Sequence, residues 1–270
     1  MLENITIGQY YPGESIVHKL DPRTKIYGVF ALVVAFFLAR YGIVYVFLTA
    51  FLGGMVLSAG IPFRYLVKGL RPILFIGSLT FVLHMFITAG TVVARIGPLT
   101  ITWEGIQQGS FLVWRLVMLV LTTSMLTLTT PAVALTDGME NVLKPFQRFG
   151  VPAHELAMMM TIALRFIPTL IEETGKIMKA QMARGADFES GTIVQRAKNL
   201  IPLLVPLFVG AFRRADDLAV AMEARCYRGG ENRTRLKELK YSSYDYYSYV
   251  VVLLLLAVVI SIRFWGIPQL

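Results

Sequence analysis

The sequence predicts an all-α integral membrane protein with about five transmembrane helices and long amphipathic helices on the cytoplasmic side. Apolar residues make up 56% of the 270 residues, and charged residues only 16%. The mean hydropathy is +0.62, and several apolar runs approach the ~20 residues that a helix needs to cross a bilayer. This composition argues against a soluble globular protein.

Five apolar segments are predicted to be the membrane spans. The first follows Asp21 and Pro22, a pair typical of a helix N-cap with proline in the first helical position. Gly60 and Pro62 end the second span, and Pro131 ends the fourth. The predicted spans cover residues 26–39, 43–59, 73–89, 108–129 and 246–265.

Basic residues orient these spans, because short loops rich in lysine and arginine remain in the cytoplasm. Most of the basic loop residues lie before the first span or between the second and third. They are Lys19, Arg23, Lys25, Arg64, Lys68 and Arg71. The connections after the first and third spans carry only Arg40 and Arg95. The N-terminus is therefore predicted to be cytoplasmic, and the short C-terminus to lie outside.

Three regions follow from the spans. Residues 1–130 hold the N-terminal cytoplasmic segment and four spans, residues 131–245 form a large cytoplasmic region, and residues 246–270 hold the last span. The cytoplasmic region carries 16 of the 26 Lys and Arg residues and 13 acidic residues, a net charge of +3. The excess of positive charge is small, and aromatic residues are not interleaved with the basic ones. The cytoplasmic region therefore does not have the pattern of a nucleic-acid-binding surface.

The sequence offers no set of residues suited to catalysis, metal binding or cofactor binding. Cys226 is the single cysteine, and the three histidines are scattered. Lys176 follows a glycine, but Leu170 stands where a Walker A loop needs its first glycine. No nucleophile with a base stands out, so the chain is predicted not to be an enzyme.

Two long helices are predicted in the cytoplasmic region. Each carries apolar or small side chains at alternating steps of four and three residues, which form one stripe of a helix. At ~1.5 Å per residue, either helix would be roughly 45 Å long. If the same spacing is continued toward the C-terminal end of each helix, the first stripe reaches Arg184 and the second reaches Arg225. Their members are Leu156, Met160, Ala163, Ile167, Leu170, Thr174 and Ile177 in the first helix, and Leu200, Leu204, Leu207, Ala211, Arg214, Leu218 and Ala221 in the second.

The two predicted helices end in similar tripeptides. The first tip is Ala183, Arg184 and Gly185, and the second is Ala224, Arg225 and Cys226. An ordinary helix C-terminus explains either tip alone, since a cation favours the negative end of the helix dipole and glycine adopts the left-handed cap conformation. Their repetition favours docking into a partner, because a small residue lets a helix end enter a groove and a guanidinium offers five donors there.

The chain resembles the transmembrane T component of energy-coupling factor (ECF) transporters, the vitamin and metal-ion uptake systems driven by a pair of ABC-type ATPases. The resemblance covers nearly the whole chain and is carried by long motifs in residues 15–25, 165–185 and 201–230, followed by residues 233–235. Motifs of this length are specific. The resemblance implies a bacterial or archaeal cell membrane as the location.

The resemblance also implies the partners and the role of the tips. In this family, the tips end coupling helices that dock into grooves of the two ATPase subunits, and the rest of the region binds a membrane-embedded, substrate-capturing S component. ATP and Mg would be bound by the ATPase partners, and this chain would hold no cofactor. Cys226 departs from the family pattern, which has glycine there, so the geometry of the second tip is in doubt.

Methionines suggest where the S component binds. Met158, Met159 and Met160 are consecutive in the first long helix. Flexible methionine side chains can re-pack against several different partners, so these three residues are a hypothetical S-component interface. Ordinary core packing is the alternative explanation.

Two other kinds of function fit the sequence less well. An ion-coupled secondary transporter or a channel needs ionisable residues along a path through the membrane, and the predicted spans offer little beyond His84 and Arg115. An intramembrane enzyme would need a catalytic pair at membrane depth, and none is evident.

Overall fold

The computed structural model describes residues 10–39, 41–96, 99–188, 190, 192–229 and 239–265. These residues form two compact units. The span unit comprises residues 10–138 and 239–265, and the coupling unit comprises residues 139–229. Arg40, one of the basic residues used to orient the spans, lies outside the described residues.

The span unit contains most of the long apolar helices. A short hairpin, β1 (Val92–Ile96) and β2 (Leu99–Thr102), connects two of them. Its helices are α1 (Ile16–Lys19), α2 (Pro22–Leu38), α3 (Gly42–Ala59), α4 (Phe63–Ile87), α5 (Trp103–Thr129) and α10 (Ser243–Trp265).

The coupling unit is also helical. Helix α6 (Ala132–Leu143) begins in the span unit and ends in the coupling unit, where a 3₁₀ helix (Lys144–Phe149) follows it. The remaining helices are α7 (Ala153–Ala183), α8 (Ile193–Asn199) and α9 (Ile201–Ala224). Helix α7 has 31 residues, or about 46 Å, close to the predicted length, whereas α9 has 24 residues, or about 36 Å, and is shorter than predicted.

The fold class is confirmed as an all-α membrane protein. Five helices are long and apolar enough to cross a membrane: α3, α4, α5, α7 and α10. Four of them contain predicted spans. Helix α7 has the lowest mean hydropathy of the five, 1.3. The first predicted span corresponds to α2, whose 17 residues reach about 25 Å, slightly less than the hydrocarbon core.

Helix α4 differs most from its prediction. It begins at Phe63 rather than at residue 73, so Arg64, Lys68 and Arg71 lie on its first turns and not in a loop. Lysine and arginine are good helix formers, and Pro72 is accommodated within the helix. The sequence analysis also missed the hairpin, in which Ala94 pairs with Ile101 in an antiparallel register.

The core of the span unit lies where α2, α3 and α10 meet. Leu32 and Phe36 of α2 pack with Leu48 of α3 and with Leu255 and Val259 of α10, and all five are buried. Many large apolar side chains on the outer faces are exposed. This arrangement suits helices surrounded by lipid, because lipid tails are as apolar as these side chains.

Buried polar contacts join the start of α2 to the start of α10. The predicted N-cap is confirmed, since the Asp21 carboxylate accepts a hydrogen bond from the Arg23 amide at 2.8 Å. The Asp21 amide in turn donates to Asp245 Oδ1 at 2.8 Å, and the Ser242 amide donates to Asp245 Oδ2 at 2.7 Å. The Arg23 guanidinium lies 4.1 Å from the centre of the Tyr241 ring. One buried carboxylate thus satisfies backbone donors of both helix starts.

We expect Asp245→Ala to lower the free energy of unfolding by about 1–3 kcal/mol, since the buried amide of Asp21 and the partly buried amide of Ser242 would lose their acceptor. Thermal unfolding of the purified chain in detergent micelles measures this. Asp216→Ala is the matched control, because Asp216 is exposed on α9. Equal stability of the two variants would contradict the structural role of Asp245.

Candidate coupling site

Helices α7 and α9 of the coupling unit pack in opposite directions. Near the end of α7, Gln181 Nε2 donates to the carbonyl of Pro202 at the start of α9, at 3.5 Å. Just beyond the end of α9, the Tyr227 hydroxyl lies 3.4 Å from Nε2 of His154 at the start of α7. The two tips therefore lie at opposite ends of the helix pair, separated by about the length of α9, roughly 36 Å.

The first tip ends α7 in a Schellman cap. Gly185 adopts the left-handed conformation with φ 88°. Its amide donates to the carbonyl of Met182 at 2.9 Å, and the amide of Ala186 donates to the carbonyl of Gln181 at 3.0 Å. These bonds satisfy carbonyls that a helix end otherwise leaves free.

The second tip has the same cap. The amide of Cys226 donates to the carbonyl of Glu223 at 2.8 Å, and the amide of Tyr227 donates to the carbonyl of Met222 at 3.0 Å. Cys226 stands in the glycine position with φ 57°, a left-handed conformation. The sequence left the geometry of this tip in doubt because of the cysteine. The structure gives it the same backbone as the first tip, at the steric cost of a side chain in the left-handed region.

Both tips are accessible. The six tip residues are all exposed: Ala183, Arg184, Gly185, Ala224, Arg225 and Cys226. Each arginine is the C-cap residue, with a backbone φ near −90° at both positions. The two tips thus present the same short surface twice, a guanidinium beside a capped helix end.

The predicted stripes match the contact between α7 and α9 only in part. Leu170 of α7 and Leu218 of α9 line the space between the helices, as predicted, but Leu156 and Met160 are exposed, and so is Leu204. The stripes are therefore wrong near their N-terminal ends.

The reason lies in the spacing of the residues between the helices. The residues that line the space between α7 and α9 follow steps of four, and not the alternating steps of four and three that the stripes assumed. These residues are Ile162, Phe166 and Leu170 in α7, with Ala211, Ala215 and Ala219, and Arg214, Leu218 and Met222, in α9.

An ion pair and a cavity mark the middle of this contact. Arg214 of α9 pairs with Glu173 of α7, and both side chains are partly buried. Arg214 was predicted as a member of the second stripe, but its pairing with Glu173 on the other helix was not predicted. Beside the pair, the helices leave a cavity of about 360 Å³. This space is open on one side and is lined mainly by apolar side chains of the two helices.

A polar chain that the sequence analysis missed supports the second tip. Nδ1 of His154 lies 3.1 Å from Glu140 Oε1 in α6, and its Nε2 lies 3.4 Å from the Tyr227 hydroxyl. Tyr227 also closes the cap of the second tip through its amide. His154 and Tyr227 are far apart in sequence, so no local pattern could have identified this contact.

The three methionines of the hypothetical S-component interface lie on one turn of α7. Met159 and Met160 are exposed, by 57% and 40%, and Met158 is half-buried. They are therefore only partly used for packing within the coupling unit.

Arg115, which was considered for a transport path, makes structural contacts within the span unit. Its Nε donates to the Tyr45 hydroxyl at 2.7 Å and its Nη2 to the carbonyl of Ala39 at 3.4 Å. His84 makes a local contact, 3.4 Å from the hydroxyl of Thr88, the C-cap residue of α4. The contacts of Arg115 reach residues from the end of α2 and from α3, so this group has a role in the packing of the spans.

Replacing Cys226 tests the cap of the second tip. Since a non-glycine residue in the left-handed region costs about 1 kcal/mol, we expect Cys226→Gly to slow hydrogen exchange of the last α9 amides by about fivefold. Hydrogen exchange with mass spectrometry measures this in the full chain. Cys226→Ala is the control, because it removes the thiol but keeps the steric cost. The same exchange rate in both variants would contradict the strained cap.

Comparison with known proteins places the chain in a family. Residues 13–236 match the sequence model of the CbiQ family, described as cobalt transport protein. The "energy-coupling factor transporter transmembrane protein EcfT" of Thermosediminibacter oceani is 59% identical over 97% of this chain and 99% of the relative. The protein of the same name from Clostridium kluyveri is 51% identical over 98% and 99% of the two chains, and that from Bacillus subtilis is 49% identical over 97% and 100%. The chain therefore belongs to the CbiQ/EcfT family of transmembrane components of energy-coupling factor transporters.

Proposed function

We propose that this chain couples ATP hydrolysis by two ABC-type ATPase subunits to an S component that captures a vitamin or a metal ion. In this proposal, the first and second tips dock into the two ATPase subunits. The coupling unit and the N-terminus lie in the cytoplasm of a bacterial or archaeal cell. This chain performs no catalysis, and ATP and Mg are bound by the ATPase partners.

The observation that carries the proposal is the pair of matching tips at opposite ends of α7 and α9. Two helices packed in opposite directions are related by an approximate two-fold axis. Two similar ATPase subunits that close around ATP are expected to form a dimer with the same kind of symmetry. A chain that contacts both subunits in the same way needs the same surface at two symmetric places. The duplicated cap and arginine meet this requirement.

The chemistry of each tip suits docking in a groove. The Schellman bonds at Gly185 and Cys226 satisfy helix-end carbonyls inside the chain, so the helix end can lose water at reduced cost. The guanidiniums of Arg184 and Arg225 remain exposed. Each offers five N–H donors in a fixed plane, which suits carboxylates or backbone carbonyls of a partner.

The contact between α7 and α9 supports a change of crossing angle as the coupling step. When the ATPase subunits close, the tips move together, and the helices turn about their contact. The Glu173–Arg214 pair holds the helices at this contact. The adjacent cavity of about 360 Å³ leaves room for side chains to re-pack, which a close-packed interface would resist.

The S component would then respond to the movement of these helices. The exposed side chains of Met159 and Met160, beside Met158, offer it a flexible apolar surface. Such a surface can adapt to S components of different sequence. The substrate itself is set by the S component.

Charge reversal at the tips tests the proposal. We expect Arg184→Glu or Arg225→Glu to reduce vitamin uptake at least about tenfold, because each removes a central anchor and adds a repelling charge. The complex is reconstituted in proteoliposomes, and both uptake and ATP hydrolysis are measured. Arg213→Glu is the matched control, since Arg213 is exposed on α9 away from the tip.

The expected pattern is loss of uptake with continued ATP hydrolysis in the tip variants, and normal uptake in the control. Full uptake by the double variant Arg184→Glu/Arg225→Glu would reject the proposal. An equal loss of uptake in the Arg213→Glu control would show that uptake depends on the overall charge of α9 and not on the tips.

A further inference from the structure

Helix α4 packs against α5 along one face. Leu66, Leu70 and Gly77 lie on this face and are buried. Leu66 packs with Met125 and Leu128 of α5. An α-helix turns by about 100° per residue, so the three buried residues share one side of α4, and the opposite side points away from α5.

We call the opposite side of α4 its outer face. Six of its residues follow one another at steps of four and three, and all six are exposed. The first three are cationic and the last three are apolar, so the outer face has a cationic half and an apolar half. These residues are Arg64, Lys68 and Arg71 in the cationic half, and Phe75, Leu79 and Val82 in the apolar half.

The cationic half lies at the edge of the membrane. Helix α4 ends at Ile87 and is one of the helices long and apolar enough to cross a bilayer. A span needs ~20 residues, so the hydrocarbon core, counted back from Ile87, begins near Lys68. Arg64 then lies among the headgroups, and the long side chains of Lys68 and Arg71 can reach them. From Arg71 to Val82 the helix rises ~16 Å, about half of the ~30 Å core.

The cations of the outer face have no acidic partner in the part of the chain that the structure describes. The sequence contains no acidic residue between Asp21 and Glu104. Among the described residues, no ion pair or side-chain hydrogen bond involves Arg64, Lys68 or Arg71. Basic residues that only orient a span must lie on one side of the membrane, but they need not share one face of a helix. Their alignment favours an anionic ligand.

We propose that the outer face of α4 binds one anionic phospholipid of the leaflet in which α4 begins, the cytoplasmic leaflet in the proposed orientation. The headgroup phosphate binds the cationic half, since basic clusters beside a span attract anionic lipids. An acyl chain lies along the apolar half. The order of the two halves matches the order of headgroup and chain in that leaflet. A zwitterionic lipid fits less well, because its own cation meets the same three charges.

Native mass spectrometry of the full chain tests the proposal. Each protein is titrated in detergent with phosphatidylglycerol or phosphatidylcholine of identical acyl chains. A face variant and a control variant each lose three exposed cations, and the control loses them from α8 and α9. The two variants are Arg64→Gln/Lys68→Gln/Arg71→Gln and Arg196→Gln/Lys198→Gln/Arg213→Gln.

A third variant keeps the charge and changes only its direction. Val67→Lys/Lys68→Val exchanges two neighbouring exposed residues. Composition, net charge and depth in the membrane are retained, while the ammonium turns by about 100° around the helix. Because the number of cations on this side of the membrane is unchanged, the spans are expected to keep their orientation.

We expect the wild type and the control variant to bind one phosphatidylglycerol at least about tenfold more tightly than phosphatidylcholine, because three cations act together. The face variant should lose this preference. The exchange variant should reduce it about fivefold, the factor that one cation supplies near an anionic surface.

The opposite results would overturn the proposal. An equal preference for phosphatidylglycerol in the face variant and the control variant would show that the bound lipid is ordinary annular lipid. An undiminished preference in the exchange variant would show that the charge acts without regard to the face. Release of the lipid when the wild type assembles with its partner subunits would assign the outer face to a partner chain. If the face variant fails to insert, the exchange variant decides.

Discussion

The end of a helix leaves carbonyl groups without partners, and this constraint governs the coupling unit. A helix end that enters a protein groove loses the water that would satisfy those carbonyls. At Gly185 and Cys226 the chain turns into the left-handed conformation and satisfies them internally. Arg184 and Arg225 remain exposed beside these capped ends, and in the proposed function they bind the partner. The strained conformation of Cys226 indicates that this backbone shape is kept even where the residue does not favour it.

The proposed coupling also requires that movement of one tip reach the other parts of the chain. Helices α7 and α9 pack in opposite directions and contact each other near both ends, so a change of the angle between them would move both tips. The Glu173–Arg214 pair and the link from Tyr227 through His154 to Glu140 join α9 to α7 and α6. The span unit follows a different principle: the buried Asp245 carboxylate holds the starts of α2 and α10 together, and much of the outer surface is left to lipid.

Local features of this structure could be predicted from the sequence, and non-local ones could not. The apolar runs of α3, α5 and α10 and the N-cap at Asp21 depend on neighbouring residues, and each was found. The start of α4 was missed because cationic residues can sit on a membrane helix as well as in a loop.

The stripes on α7 and α9 assumed a coiled-coil spacing, whereas the residues that line the space between the two helices follow steps of four. The tips were identified from the sequence, but their common cap was not, because it requires the backbone angle of Cys226. The contact between His154 and Tyr227 joins the start of α7 to the segment after α9, which are 73 residues apart in the chain, and the sequence carries no signal for it.

The most direct test of the coupling mechanism is the distance between the two helix ends in the assembled transporter. Spin labels on Lys179→Cys and Ala221→Cys, in a Cys226→Ala background, lie about one turn before each tip on exposed positions. Double electron–electron resonance then measures their separation without nucleotide and with ATP trapped in the ATPase subunits. The account predicts that ATP binding shifts this distance by several ångströms. An unchanged distance in a complex that still takes up its substrate would contradict it.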